Sequence, residues 1–145
     1  IYRLTEDYLS IESKVCTLWP GELREAPVMF KRNGYYYLLT SGCTGWQPNQ
    51  SSYAYSRCID HGWSNRFELG DETTYQSQPT GVIKTYNPAL NTTQYWYLGD
   101  RWGGCGEAYF QSEYVLLPLT FSSDTDLHLE WREEIAHEYF IHHGR

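Results

Sequence analysis

One carboxylate, Glu25, stands just ahead of a segment that reads as a β-hairpin, Ala26–Lys31 and Tyr35–Ser41 joined by Asn33-Gly34. An Asn-Gly pair suits a tight turn in which both central residues take φ > 0. A carboxylic acid at the mouth of such a strand pair can protonate a departing oxygen if its surroundings raise its pKa, the acid half of sugar-bond hydrolysis. That reaction needs a second group to activate water, roughly 6.5–9.5 Å away in inverting enzymes. On residue type alone Asp71, Glu72 and Asp100 qualify, though none sits in a context like that of Glu25. Taken alone, Glu25 reads equally well as a surface residue beside a turn.

Three other groups carry polar chemistry. Thr74-Tyr75-Gln76-Ser77-Gln78-Pro79-Thr80 concentrates amides and hydroxyls at the entry to a strand, where they can hydrogen-bond a polyhydroxylated ligand; a plain polar loop is the blander reading. Gly99-Asp100-Arg101-Trp102 offers a carboxylate, a guanidinium and an indole in succession, and an Asp–Arg pair at a strand end is more often a brace. Ser41-Gly42-Cys43-Thr44-Gly45-Trp46 brings a hydroxyl and an indole together on a Gly-rich turn. His137, His142 and His143 cluster near the C-terminus without partners for a metal or a nucleophile. No phosphate-cradling Gly-rich loop, G-x-S-x-G or H-E-x-x-H pattern occurs.

The 145 residues suffice for one domain with a real core. Fourteen Tyr and six Trp against one Met favour strands, and flat aromatic faces also stack on sugar rings. The net charge is −7 with scattered cations, so no basic stripe is present to neutralise phosphates, and nucleic-acid binding is not expected. No run approaches the roughly 18–20 apolar residues of a membrane-spanning helix. Cys16, Cys43, Cys58 and Cys105 lack a C-x-x-C pair, which argues against zinc and is compatible with up to two disulfides. Asn49-Gln50-Ser51 and Asn91-Thr92-Thr93 are glycosylation sequons, and the expectation is a secreted, extracellular protein.

The elements that must position these groups are short strands: Ala26–Lys31, Tyr35–Ser41, Ser52–Ser56, Thr80–Tyr86, Gln94–Gly99, Tyr114–Phe121 and Leu127–Trp131. Turn-rich linkers fall at Thr44–Gln50, His61–Asn65 and Asn87–Thr92. Only the opening and closing segments invite a helix, Glu130–His142 being one candidate. Strands without intervening helices mean an all-β fold: sandwich, barrel or propeller blades. One recurrence stands out, an aromatic strand, a Gly-containing turn and a second aromatic strand (Tyr35–Ser41 to Ser52–Ser56, and Gln94–Gly99 to Tyr114–Phe121), which suits successive blades.

Five blocks in order, Arg24–Phe30, Tyr35–Gly42, Thr44–Asn49, Ser77–Thr80 and Gly99–Trp102, resemble glycoside hydrolase family 43, in its galactan 1,3-β-galactosidase (exo-β-1,3-galactanase) branch. The resemblance implies a five-bladed β-propeller whose central funnel holds the site. It also implies an inverting exo-hydrolase that releases galactose from the non-reducing end of β-1,3-galactan, as in arabinogalactan. Glu25 falls on the family's general acid. Gln78 falls where this branch carries a glutamine instead of a base carboxylate, and it would position the water, with its imidic acid tautomer as a route to base chemistry. Thr44, Asp100, Arg101 and Trp102 match regions lining the sugar pocket, with Trp46 a weaker match. No cofactor is required; a structural calcium on the propeller axis is neither indicated nor excluded.

The similarity begins midway through the family's catalytic domain. Residues 1–145 therefore read as a partial propeller of about three blades, with 132–145 as a tail. Nothing in residues 1–22 replaces the further acidic residues of the earlier blades, and Leu116 stands where the family leads one to expect tryptophan. Exposed blade edges would favour self-association. A carbohydrate-binding remnant without turnover and an inactive truncated product are the alternatives to a galactanase fragment.

Overall fold

The computed structural model describes residues 1–88 and 90–135. The described residues form ten strands, β1 Tyr2–Leu4, β2 Ile11–Lys14, β3 Arg24–Arg32, β4 Tyr35–Gly42, β5 Ser51–Ser56, β6 Phe67–Leu69, β7 Gln78–Asn87, β8 Thr92–Arg101, β9 Glu113–Phe121 and β10 Leu127–Leu129. One 3₁₀ helix, Gly106–Gln111, lies between β8 and β9. The strands make three antiparallel sheets: the hairpin β1-β2 and two four-stranded sheets, β3-β4-β5-β6 and β7-β8-β9-β10. Each larger sheet is a meander in chain order, the form of a propeller blade. With the hairpin, three sheets match the expected partial propeller.

The recurrence seen in the sequence is this blade repeat. Tyr35–Ser41 and Gln94–Gly99 are second strands, while Ser52–Ser56 and Tyr114–Phe121 are third strands. The structure corrects the expected elements in three places. The opening segment, offered as helical, is the hairpin β1-β2, and the short strand β6 in the 57–69 region went unrecognised because its three residues give too little alternation to read. The closing strand stops at Leu129 rather than Trp131. Most of the Glu130–His142 segment, residues 136–145 of the tail and the three C-terminal histidines lie outside the described residues.

The two blades pack face to face. Val28, Tyr37, Leu39, Tyr53 and Leu69 of the first meet Tyr95, Tyr97, Val115, Leu117, Leu119, Leu127 and Leu129 of the second. Val115, Leu117 and Leu119 alternate with more exposed neighbours, the period-2 signature of a half-buried strand. Tyr37 and Tyr53 bury their rings and spend their hydroxyls across the seam, Tyr37 donating to the Asp124 carbonyl and Tyr53 accepting the Leu127 N–H at 3.1 Å, while the half-buried Tyr75, on the loop between the blades, donates to the Leu129 carbonyl at 3.0 Å. Phe30 stacks on Tyr37 with ring centroids 4.8 Å apart and meets Tyr95 at 5.6 Å. Tyr37, Tyr53, Tyr95 and Tyr97 thus belong to the core, with Tyr35, Tyr55 and Tyr75 packed against it.

Candidate active site

Glu25 and Gln78 hold equivalent places, each at the start of the first strand of its blade. Glu25 pairs with Ser41 and Gln78 with Asp100. Within two residues of each, the ladder slips. The first slip falls between Glu25 and Val28, across Ala26-Pro27, and the second between Pro79 and Gly81. A proline has no N–H for the ladder, so both strands bulge there, and a bulge re-aims the side chains beside it. Ala26 adopts φ 50°, a conformation that costs a non-glycine residue and persists only where the surroundings enforce it. The neighbouring Arg24 supplies part of that enforcement. Its guanidinium donates to the Thr40 carbonyl at 2.7 Å, the Thr40 hydroxyl at 3.1 Å and the Ser52 hydroxyl at 2.8 Å.

The entry to Gln78 is more strained. Thr74, Tyr75 and Gln76 all have positive φ, at 52°, 56° and 58°. Three successive left-handed residues are unfavourable for L-amino acids, so the loop has to be held from outside. Asp71 Oδ1 accepts the N–H groups of Thr73 (2.9 Å) and Tyr75 (2.6 Å). The buried Thr74 hydroxyl donates to the Asn49 carbonyl at 2.9 Å and accepts the Ser51 N–H at 2.7 Å. Arg101 donates to the Tyr75 carbonyl at 3.0 Å and lies over the Trp131 ring. Burial acts to raise the Asp71 carboxyl, but the N–H groups of Tyr75 and Thr73 outweigh it and hold the group below its ordinary value.

These devices bring the two residues into contact. Gln78 Nε2 donates to Glu25 Oε1 at 2.9 Å and to Ser41 Oγ at 3.0 Å, while Trp102 Nε1 donates to Gln78 Oε1 at 2.9 Å. Both residues are half-buried and Ser41 is buried. A cavity of about 390 Å³ is lined by Glu25, Ala26, Gly45, Trp46, Gln78 and Trp102. A second, of about 280 Å³, shares Trp46, Gln78 and Trp102 and adds polar walls including Asn49, Gln76, Asp100 and Arg101. Trp46 meets Trp102 edge-on at 5.3 Å, and Tyr109 stacks on Trp102 at 5.8 Å. The result is an acid, an amide and a wall of aromatic faces around one opening, a combination suited to a sugar ring.

The structure gathers Glu25, Gln78, Trp46, Asp100, Arg101 and Trp102 around these two cavities. Thr44 lies on the same loop but does not line them; its hydroxyl donates to the Gln47 carbonyl at 2.6 Å and accepts from Asn49 Nδ2 at 2.7 Å. Of the carboxylates considered as base, Asp71 is spent on its own loop and Asp100 lines the second cavity, whereas Glu72 is exposed and lines neither. The reading along the sequence missed Tyr109, whose only signal was the Gly103-Gly104-Cys105-Gly106 run that lets the chain fold back over Trp102. It also missed the Cys43 thiol, which is pushed up by burial and by Glu25 beside it.

All four cysteines are free thiols. Asn49 of the first sequon has its amide committed to the Gly42 backbone, with Ser51 fully buried, so only Asn91 presents an exposed sequon. Among the described residues, Cys58, Asp60 and His61 bring a thiol, a carboxylate and an imidazole nitrogen within 4.8 Å of one another, on the loop after β5.

Solved structures extend the geometric picture. An exo-β-1,3-galactanase from Clostridium thermocellum is 53% identical over 88% of this chain, with a TM-score of 0.82. A β-1,3-galactosidase of glycoside hydrolase family 43, solved with galactodeoxynojirimycin, is 27% identical over 92% of the chain, with a TM-score of 0.76. A Phanerochaete chrysosporium exo-β-1,3-galactanase solved with β-1,3-galactotriose is 25% identical over 87%, with a TM-score of 0.72. The chain spans 28%, 38% and 29% of these three proteins, respectively. No family model matches the chain, and no curated protein does.

Proposed function

Because this chain belongs to glycoside hydrolase family 43 and carries part of its propeller, we propose that it contributes the acid and water-positioning groups of an exo-acting β-1,3-galactan hydrolase. The observation that carries this reading is the direct contact of Glu25 with Gln78 under the Trp46–Trp102 wall. The relatives solved with galactodeoxynojirimycin and β-1,3-galactotriose support a galactose-type ligand for the same opening.

In this mechanism Glu25 donates its proton to the glycosidic oxygen as the bond to the anomeric carbon breaks. Water positioned by Gln78 adds to that carbon and sheds a proton. An amide can take that proton on oxygen, as the imidic acid, only if its nitrogen loses one. Gln78 Nε2–H already points at Glu25 Oε1, which is ionised once its own proton has gone. The contact is far shorter than the roughly 6.5–9.5 Å between two carboxyl groups of inverting enzymes. Inversion therefore rests on the family likeness, and proton NMR of the first anomer released tests it. No cofactor enters the scheme. A secreted location and self-association through blade edges belong to the same reading; Met29 on β3 and Ile83 on β7 leave 38% and 44% of their surface exposed.

The test is galactose release from β-1,3-galactan by the purified chain beside Glu25→Gln. The expected result is a loss of about 10²–10⁴-fold in the variant. A folded chain that releases no galactose, or a variant as active as the parent, refutes the proposal.

A further inference from the structure

The Gln78 amide has two N–H donors and one oxygen with two lone pairs. Both donors are spent, on Glu25 and Ser41, and one lone pair accepts from Trp102. A single oxygen lone pair is left. Turned over, the amide would set its NH₂ against the indole N–H, which can only donate. It would also set its carbonyl against the Glu25 carboxylate, which can only accept when ionised. The indole contact would become repulsive whatever the state of Glu25, and the acid contact whenever Glu25 is ionised, so Trp102 above all dictates which end of the amide faces where.

We propose that Trp102 and Ser41 are positioning residues that lock the Gln78 amide with its oxygen toward the attacking water. The inference rests on the role given to Gln78 above. Water bound at the free lone pair binds as a donor and keeps its own lone pairs for the anomeric carbon. Water bound at an amide N–H would instead spend the lone pair it needs for attack. The lock makes a glutamine present the same pole as a base carboxylate, which needs no lock because both its ends accept.

The ¹⁵N-labelled chain tests this by NMR, with the Gln78 side-chain amide pair assigned from its loss in Gln78→Ala. In the parent both protons should exchange slowly with solvent. Trp102→Phe keeps a ring against Tyr109 but removes the donor, and Ser41→Ala removes one acceptor. Each should speed exchange of the pair at least about tenfold. Where turnover is measurable, Trp102→Phe should lower kcat by about 10–100-fold, the scale of misplaced reacting groups, with KM changed much less. If Trp102→Phe does not fold, Ser41→Ala decides alone. Unchanged amide exchange in the folded variants overturns the lock. A parent that hydrolyses no galactan overturns the proposed function instead, and the NMR result still stands.

Discussion

Gly99 links the fold to the site, and replacing it by alanine tests that link. It lies in β8, paired with Pro79 on one side and Val115 on the other, one register step from Gln78. Its backbone is not in the left-handed region, so the demand for glycine is purely one of space. A Cβ there would fall 2.6 Å from Tyr97 Cε1, 2.7 Å from the Tyr97 hydroxyl and 2.8 Å from Ser77 Oγ. Neither neighbour can retreat. Tyr97 is fully buried, its hydroxyl is 2.9 Å from Ser77 Oγ, and Ser77 donates in turn to the Thr74 carbonyl at 2.6 Å. Overpacking of a tight core costs about 1–3 kcal/mol, and a buried hydrogen bond lost with it adds about 1 kcal/mol. Gly99→Ala should therefore destabilise the chain by about 2–4 kcal/mol. Gly81, on the partner strand β7, is the control. It too avoids positive φ, and nothing lies within 4 Å of the position its methyl group would take, so Gly81→Ala should stay within about 0.5 kcal/mol of the parent. Urea unfolding followed by tryptophan fluorescence measures both. A Gly99→Ala variant as stable as Gly81→Ala would refute the packing argument.

Asp71→Asn should cost about 1–2 kcal/mol, because a charged acceptor on two backbone N–H groups is lost from a strained loop. The pH dependence has a definite sign. The Asp71 carboxyl is held below its ordinary 3.8, so its contribution is complete above that value and disappears as the pH falls through the lower, folded value. Acid unfolding curves of parent and variant should converge there; a constant gap would count against the assignment. Cys43, pushed up by burial and by Glu25, should alkylate slowly near neutral pH, and Glu25→Gln should speed the reaction by removing the neighbouring negative charge. Iodoacetamide labelling followed by peptide mass spectrometry reads this, and equal rates in both proteins would contradict it.

Local signals were enough for most of the fold. The alternating, aromatic-rich segments and the Asn33-Gly34 turn, whose two residues do take φ 47° and 81°, specify strands through steric and pairing preferences that act over a few residues. The repeated aromatic strand pair already contained the blade. The hairpin β1-β2 was less legible because its seven residues are all exposed and carry no buried face to impose alternation.

For the site, the chain itself determined the residue types and their order: an acid before one Pro-containing strand and an amide before another. Tertiary structure alone decided that Glu25 and Gln78, 53 residues apart, share a hydrogen bond, and that Trp102 sets which end of the amide faces the acid. It also decided that Thr44 and Asn49 brace a loop and that Cys43 stands beside Glu25. The reason is physical. Strand periodicity is encoded between near neighbours, whereas a contact across two blades depends on sheet register, on bulges and on where the core lets each blade come to rest.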